Sequence, residues 1–297
     1  MEKVLVLLST YNGSNYLKEL MESVLGQKHV EVSILARDDG SKDGTIEYLK
    51  AMQDSRINFI KGENKKAVGS FLELVEKAPG EYQYYAFCDQ DDVWLEEKLS
   101  AAVKRLSFFP QNEPALYYSG QIITDRNLNI LYEHILDADR SIKANCIFNQ
   151  MAGCTAVFNR NLLMKLKEYT PGGIYGHDVW CYRVCAALNG HIVVESRGHI
   201  YYRQHGENVV GMQSGLKGKL KNAKDYIFKY NASTYAEQIL KGYGGQLSDD
   251  WKKFLKMICD SNHSIKSKWS MLSDSEVNFR SEKLRAVYIA KIILGKM

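Results

Sequence analysis

Four short apolar runs, each ending in a polar cluster and each followed by apolar residues at helical spacing, dominate the first 108 residues. Residues 4–8 stop at Ser9-Thr10-Tyr11-Asn12-Gly13, after which Tyr16, Leu17, Leu20, Met21, Val24 and Leu25 recur with helical period. Residues 32–36 end in Arg37-Asp38-Asp39-Gly40-Ser41, and a stripe of Ile46, Leu49 and Met52 follows. A third strand is expected at residues 57–60 before a helix over 68–77. A fourth, at 84–88, runs into Asp89-Gln90-Asp91-Asp92 and a helix from about Leu95. Such alternation specifies right-handed βαβ units around a parallel sheet, an α/β fold. Ligands of such sheets sit at the carboxyl ends of the strands, where each polar cluster falls.

Beyond residue 115 the alternation loosens. Strand-like runs occupy residues 115–118, 155–158, 192–194 and 200–202, with a helix expected over 177–188. After Gly211, Lys- and Leu-bearing helical patterns take over, as at residues 251–259 and 284–294. A soft boundary near Gly211 to Gly215 therefore divides the chain into a sheet domain, 1–212, and a helical extension, 213–297. Charge divides the same way: the extension has 16 Lys+Arg against 8 Asp+Glu, and the first part 23 against 27. Six cysteines without a CxxC pair fit neither a zinc site nor a small disulfide framework and read as reduced thiols of a cytoplasmic protein. The opening apolar run is too short for a signal-peptide core, and no stretch reaches the roughly 18 apolar residues of a membrane span.

The cluster at Asp89, Asp91 and Asp92 crowds like charges at the end of a buried strand. Carboxylates a few ångströms apart repel unless a cation or protons lie between them. Asp89-x-Asp91 is a hard-oxygen pattern suited to Mg²⁺ or Mn²⁺, which takes its remaining ligands from water and substrate phosphates. The alternative is that Asp91 or Asp92 caps the helix that follows.

Taken with "LLSTYNGSNYLKELMESVLGQ", "ARDDGSKDGT" and "GHDVW", the segment "FCDQDDVW" resembles, in the same order, the motifs of family-2 glycosyltransferases. The resemblance spans roughly residues 3–210. It implies the GT-A nucleotide-diphospho-sugar transferase fold, a Rossmann-like mixed sheet flanked by helices, and an inverting transfer. "FCDQDDVW" and "YYRQHGENVVG" are most similar to bacterial cell-wall and capsular rhamnosyltransferases, which implies dTDP-rhamnose as donor; a UDP-hexose is the alternative. The acceptor implied is a polysaccharide or lipid-linked oligosaccharide, and no nucleic-acid partner is expected.

The resemblance also distributes roles. Thr10, Tyr11 and Asn12 would hold the base, with the Tyr ring available for stacking; an ordinary βα turn is the alternative. Asp38, with Asp39 second, would accept the imino N–H of uracil or thymine, unless both only form the turn. Asp91 would bind Mn²⁺ or Mg²⁺ directly, Asp89 would reach the ribose or the metal through water, and Gln90 lies on the nucleotide-sugar side. Asp178 would be the general base that takes the acceptor hydroxyl's proton, unless it is a helix cap. The family's Glu before that Asp is His177 here, which leaves the role of position 177 open. His205 is either a diphosphate donor or a metal ligand, or an ordinary hydrogen-bonded side chain. Arg203 is a candidate phosphate partner. Gly153, Cys154, His177 and Trp180 fall on the acceptor side.

Two other function classes fit less well. A nucleotidyltransferase would need a Gly-rich triphosphate loop where "STYNGSNY" stands, and a non-catalytic scaffold would have a degraded DxD or no base. The basic extension, with Lys217, Lys219, Lys221, Lys224, Lys252, Lys253, Lys256 and the final "KLRAVYIAKIILGKM", combines charge with apolar faces. It reads either as a solvated helical face or as a peripheral contact with the inner face of the cell membrane.

Overall fold

A computed structural model describes residues 1–205 and 231–297. Residues 206–230, which include the expected boundary at 212/213 and Lys217 to Lys224, lie outside the described residues. The first half consists of β1 (Glu2–Thr10), α1 (Leu17–Leu25), β2 (Val30–Asp38), α2 (Thr45–Ala51), β3 (Ile57–Lys61), α3 (Lys66–Lys77), β4 (Tyr84–Cys88), β5 (Val93–Trp94) and α4 (Lys98–Leu106). There follow β6 (Ala115–Thr124), β7 (Ile130–His134), α5 (Ile142–Ile147), a 3₁₀ turn at Gly153–Thr155, β8 (Val157–Asn159), α6 (Arg160–Glu168), α7 (His177–Ala187) and β9 (His191–Arg203). After the undescribed segment come α8 (Ala232–Tyr243), α9 (Asp249–Asp260), α10 (Ile265–Ser273) and α11 (Glu282–Leu294).

The strands form one mixed sheet in the order β3-β2-β1-β4-β8-β6-β9-β5, with β7 paired to β6. Strands β3, β2, β1 and β4 are parallel, as the alternation demanded; β8 runs antiparallel to both β4 and β6. Both faces of β1, of β4 and of most of β2 are buried, so these strands are apolar on both sides, whereas β3 at the edge is only half-buried. In β1, Val4, Val6 and Leu8 pack with Leu17, Leu20, Met21 and Val24 of α1 and with Leu99 and Ala102 of α4. Leu5 and Leu7 point the other way, into a core with Phe71 and Leu74 of α3 and Trp180 and Cys181 of α7.

That second core continues without a break into the C-terminal helices through Tyr235, Ile239, Tyr243, Trp251, Phe254, Met271, Tyr288 and Ile292. The basic extension thus contributes an apolar face to the same interior as the sheet. Strands read as two runs at 192–194 and 200–202 are one strand, β9, whose pairing with β6 shifts register around Gly120. Short β5 and β7 and helices α5 and α6 carry too little periodicity to be read from the sequence.

Register places the polar clusters. Thr10 at the end of β1 pairs with Asp38 at the end of β2, and Leu8 pairs with Cys88 at the end of β4. Tyr11, Asp39 and Asp89, each the residue next beyond those strands, therefore leave the sheet along one edge.

Candidate active site

The β1 loop is tied down from three sides while the Tyr11 ring stays 46% exposed. Gln90 holds Tyr11 through both backbone groups: the Tyr11 N–H donates to Gln90 Oε1 at 2.7 Å, and Gln90 Nε2 donates to the Tyr11 carbonyl at 2.9 Å. The Asn12 N–H donates to Ser41 Oγ at 2.8 Å, and Asn12 Oδ1 accepts from the Lys42 N–H at 2.9 Å. The carboxamide of Gln90, expected on the nucleotide-sugar side, thus acts on the loop that carries Tyr11. Thr10, also expected to touch the base, is buried, with its hydroxyl on Asp38 Oδ1 at 3.2 Å.

Asp38 and Asp39 differ in what they leave free. Asp38 accepts from the Gly40 and Ser41 N–H groups through Oδ2 and from the hydroxyls of Thr10 and Ser41 through Oδ1, which closes the turn and engages both oxygens. Asp39 Oδ1 takes Arg37 and the Lys65 N–H, and its Oδ2 makes no hydrogen bond among the described residues. By the sequence reading Asp38 is preferred to Asp39; of the two, Asp39 is the one with an oxygen left unbonded among the described residues. Arg37, fully buried and also bonded to Glu73 at 2.9 Å, fixes it there.

At the end of β4 the acids are stacked in depth. Asp91 Oδ2 lies 2.8 Å from His205 Nε2, and the His205 ring is stacked on Tyr16 at 4.7 Å. Below, Asp89, Asp92 and Cys154 bring ligand atoms within 4.8 Å of one another. Burial, then the charges of Asp91 and Asp178, push the Asp89 carboxyl up to about 7. Burial, Asp91 and Asp89 raise Asp92 as well, and its buried Oδ2 has no hydrogen-bond partner among the described residues. Three carboxylates of low exposure and an orphaned oxygen fit a hard divalent cation of the Mg²⁺ or Mn²⁺ kind. Burial raises the Cys154 thiol, which stays protonated and serves Asp92, a poor ligand for such an ion. Cys154, expected on the acceptor side, therefore faces the acids.

Arg203 locks this layer. Its backbone N–H donates to Asp92 Oδ1 at 3.2 Å, Nε donates to the Asp91 carbonyl at 2.9 Å, Nη1 donates to the Arg126 carbonyl at 2.7 Å, and Nη2 pairs with Glu19. The planar fork expected to face phosphate is engaged in holding the Asp91 loop to α1 and β9. Lys98, buried beneath the acids with Nζ 3.5 Å over the Trp94 ring, is pushed down to about 8 by burial. Tyr16, Glu19 and Lys98 were not singled out from the sequence; a helix-start tyrosine or a lone lysine carries no signal of its partners.

Asp178 enters from the opposite wall, in the first turn of α7. The helix is capped at Gly176, not by the Asp178 side chain, whose Oδ1 accepts from the next N–H, Val179, at 2.8 Å. Two glycines make room: a Cβ on Gly176 would come 2.6 Å from Asp178 Oδ1, and one on Gly153 would come 2.8 Å from His177 Nε2 and 3.4 Å from the Asp178 Cβ. Burial raises the Asp178 carboxyl to about 6 against the pull of backbone N–H groups and of Arg183. His177 stacks on Phe71 at 3.7 Å, and burial drops it to about 3, so its imidazole is neutral. Trp180, expected to meet the acceptor, is 1% exposed and packs among Tyr169 and Tyr243. It lines with His177 a small pocket walled by Leu72, Phe87 and Leu166. The extension reaches this wall too: the Tyr235 hydroxyl on α8 accepts the N–H groups of Tyr175 and Gly176 at 3.1 and 2.9 Å.

The family model described as glycosyl transferase family 2 matches residues 5–166. The chain belongs to this family. Among curated proteins, this glycosyltransferase is 29% identical over 233 residues to the dTDP-rhamnosyl transferase RfbG of Shigella flexneri, covering 72% of this chain and 77% of that protein. It is 29% identical over 157 residues to the putative teichuronic acid biosynthesis glycosyltransferase TuaG of Bacillus subtilis (strain 168), covering 52% and 60%. Among solved structures, S. aureus TarS residues 1–349 superposes with a TM-score of 0.59 at 16% identity, covering 99% of this chain and 81% of that one. The mannosyltransferase PcManGT of Pyrobaculum calidifontis, solved with GDP-Man and Mn²⁺, superposes at 0.52 and 14% identity, covering 98% of this chain and 85% of that one. The shared architecture is the GT-A fold, with a helical C-terminal region appended.

Proposed function

We propose that this glycosyltransferase is a metal-dependent, inverting enzyme that moves L-rhamnose from dTDP-rhamnose to a polysaccharide or lipid-linked acceptor. The observation that carries the mechanism is the convergence of Asp89, Asp91 and Asp92 with Asp178 at one edge of the sheet, close enough that the Asp178 charge raises the Asp89 carboxyl. The rhamnose donor is supported by the likeness to RfbG.

In this reading the exposed Tyr11 ring stacks on the base and the free Oδ2 of Asp39 accepts the imino N–H of thymine. Asp89, Asp91 and His205 would hold Mn²⁺ or Mg²⁺, whose charge would also relieve the repulsion between Asp89 and the neighbouring Asp92; the ion would neutralise charge gathering on the departing diphosphate. Asp178 takes the proton of the acceptor hydroxyl as the hydroxyl oxygen bonds to the anomeric carbon from the face opposite the breaking C1–O bond. Neutral His177, lying flat on Phe71, fixes the backbone that presents Asp178. Arg203 holds the Asp91 loop in place.

A donor panel tests this. Thermal shift and product release with dTDP-rhamnose and with UDP-galactose, UDP-glucose and UDP-N-acetylglucosamine, each with and without Mn²⁺, should single out the dTDP sugar. A response confined to a UDP-hexose would transfer the assignment to that donor class, and a response to every donor without Mn²⁺ would remove the metal.

A further inference from the structure

The C-terminal helices present a surface that the transfer site does not use. Helix α11 changes character along its length: its first turn exposes Glu282, Lys283 and Arg285, whereas in its last turns Tyr288 and Ile292 are buried and Ile293 and Leu294 remain 64% and 54% exposed. On α10, Ile265 and Trp269, one turn apart, are 75% and 69% exposed. The helices are held together where these residues lie. Lys268 Nζ donates to the Ile293 carbonyl at 3.0 Å, and the Tyr288 hydroxyl donates to the Met271 carbonyl at 2.8 Å.

The same two helices and the residue pair that follows them carry exposed cations. Lys266, Lys283, Arg285 and Lys296 make no ion pair among the described residues; of the acids on or beside these helices, Asp274 and Glu276 are engaged by Lys143 and only Glu282 is exposed without an ion pair among the described residues, so positive charge is in excess. An aliphatic and indole surface set among unpaired cations has the chemistry of an anionic bilayer surface, where apolar insertion and headgroup attraction add. A second copy is a poorer occupant, because an isologous contact would set these cations against themselves.

We propose that the α10–α11 face docks this protein on anionic lipid bilayers, placing Ile265, Trp269, Ile293 and Leu294 at the boundary between headgroups and acyl chains. An acceptor carried on a lipid would then be met at the surface. The docking deepens the reading of a lipid-linked acceptor but is measured without donor or acceptor, so each can fail alone.

The protein contains its own reporter. Of its four tryptophans, Trp94, Trp180 and Trp251 are 3%, 1% and 6% exposed, so Trp269 dominates any change of emission at the surface. Full-length protein mixed at low salt with vesicles of phosphatidylglycerol and phosphatidylcholine should co-sediment and shift its emission to the blue. Phosphatidylcholine alone or high salt should weaken both. Trp269→Phe should remove the shift and keep co-sedimentation. Trp269→Glu combined with Ile293→Glu should lower partitioning by about tenfold or more, with thermal melting unchanged because both positions are exposed. Lys266→Glu with Lys296→Glu should weaken binding without touching an apolar residue. Wild-type protein that stays in the supernatant, or charge and apolar variants that sediment like wild type, would overturn the docking. Self-association lost in the apolar variant, without vesicle binding by the wild type, would assign the face to a second copy instead.

Discussion

Asp178→Asn separates a catalytic carboxylate from a structural one by moving activity and stability in opposite directions. The substitution keeps the oxygen that accepts the Val179 N–H at 2.8 Å, so the first turn of α7 loses nothing. It removes a carboxyl that burial raises from 3.8 to about 6. A group held by two pH units in the folded state costs about 3 kcal/mol when ionised, at about 1.4 kcal/mol per unit. The folded protein binds this proton more tightly than the unfolded chain. Its stabilising contribution is therefore complete below pH 3.8 and lost as the pH rises through about 6. Asn, always neutral, escapes that loss. The variant should match wild type in stability near pH 4 and exceed it at pH 8 by up to about 3 kcal/mol, read from denaturant midpoints of the metal-free protein. Transfer should move the other way, falling by about 10² to 10⁴, the usual contribution of a positioned base, while the donor Kd is held. Wild-type kcat/KM should fall as the pH drops through about 6, and the residual rate of the variant should not follow that curve. Single-turnover transfer near wild-type levels would remove Asp178 from the mechanism. A variant that loses both stability and donor binding would show the carboxylate to be structural.

Asp91→Ala should abolish metal-dependent turnover with the melting profile intact, because the loop remains latched by Arg203 through the Asp91 backbone carbonyl; titration calorimetry with Mn²⁺ checks the lost site. Gly153→Ala would drive a Cβ to 2.8 Å from His177 Nε2 and should cut transfer by about 10- to 100-fold through misplacement of the His177–Asp178 turn, with donor affinity unchanged in the same binding assay. Glu73 is held down to about 2 by Lys77, Lys65 and Arg37, so its stabilisation is present above pH 4.5 and lost as the pH falls through about 2. Glu73→Gln should accordingly cost about 1 to 3 kcal/mol at pH 7, a loss discounted for the exposed lysines, and progressively less in acid, as urea midpoints across pH would show.

Alternation of apolar runs with helical stripes was enough to specify the parallel β3-β2-β1-β4 half of the sheet. The inner strands β1 and β4, and most of β2, are buried on both faces and so are continuously apolar, a local pattern that needs no knowledge of neighbours, while the edge strand β3 is only half-buried. The same pattern, with ligands expected at the carboxyl ends, led to the loops at Tyr11, Asp39 and Asp89. It did not show which oxygen is free. Asp38 and Asp39 are alike in sequence, and only the placement of Arg37, Lys65, Thr10 and Ser41 around them engages the first carboxylate completely and leaves Oδ2 of the second. Cys154, Arg203 and Trp180 likewise acquired their surroundings from long-range packing: a thiol turned under Asp92, a guanidinium bound to residues far along the chain, an indole in the interior. Where charge accumulates in the C-terminal part is legible from residue order alone, because it is a count of side chains. Packing then divides its apolar side, one portion entering the core beside α7 through Tyr235, Tyr243 and Tyr288, the other left outward at Trp269 and Ile293. Periodicity reports that a helix has an apolar face; which of two apolar faces is covered depends on the partners that the fold brings to it.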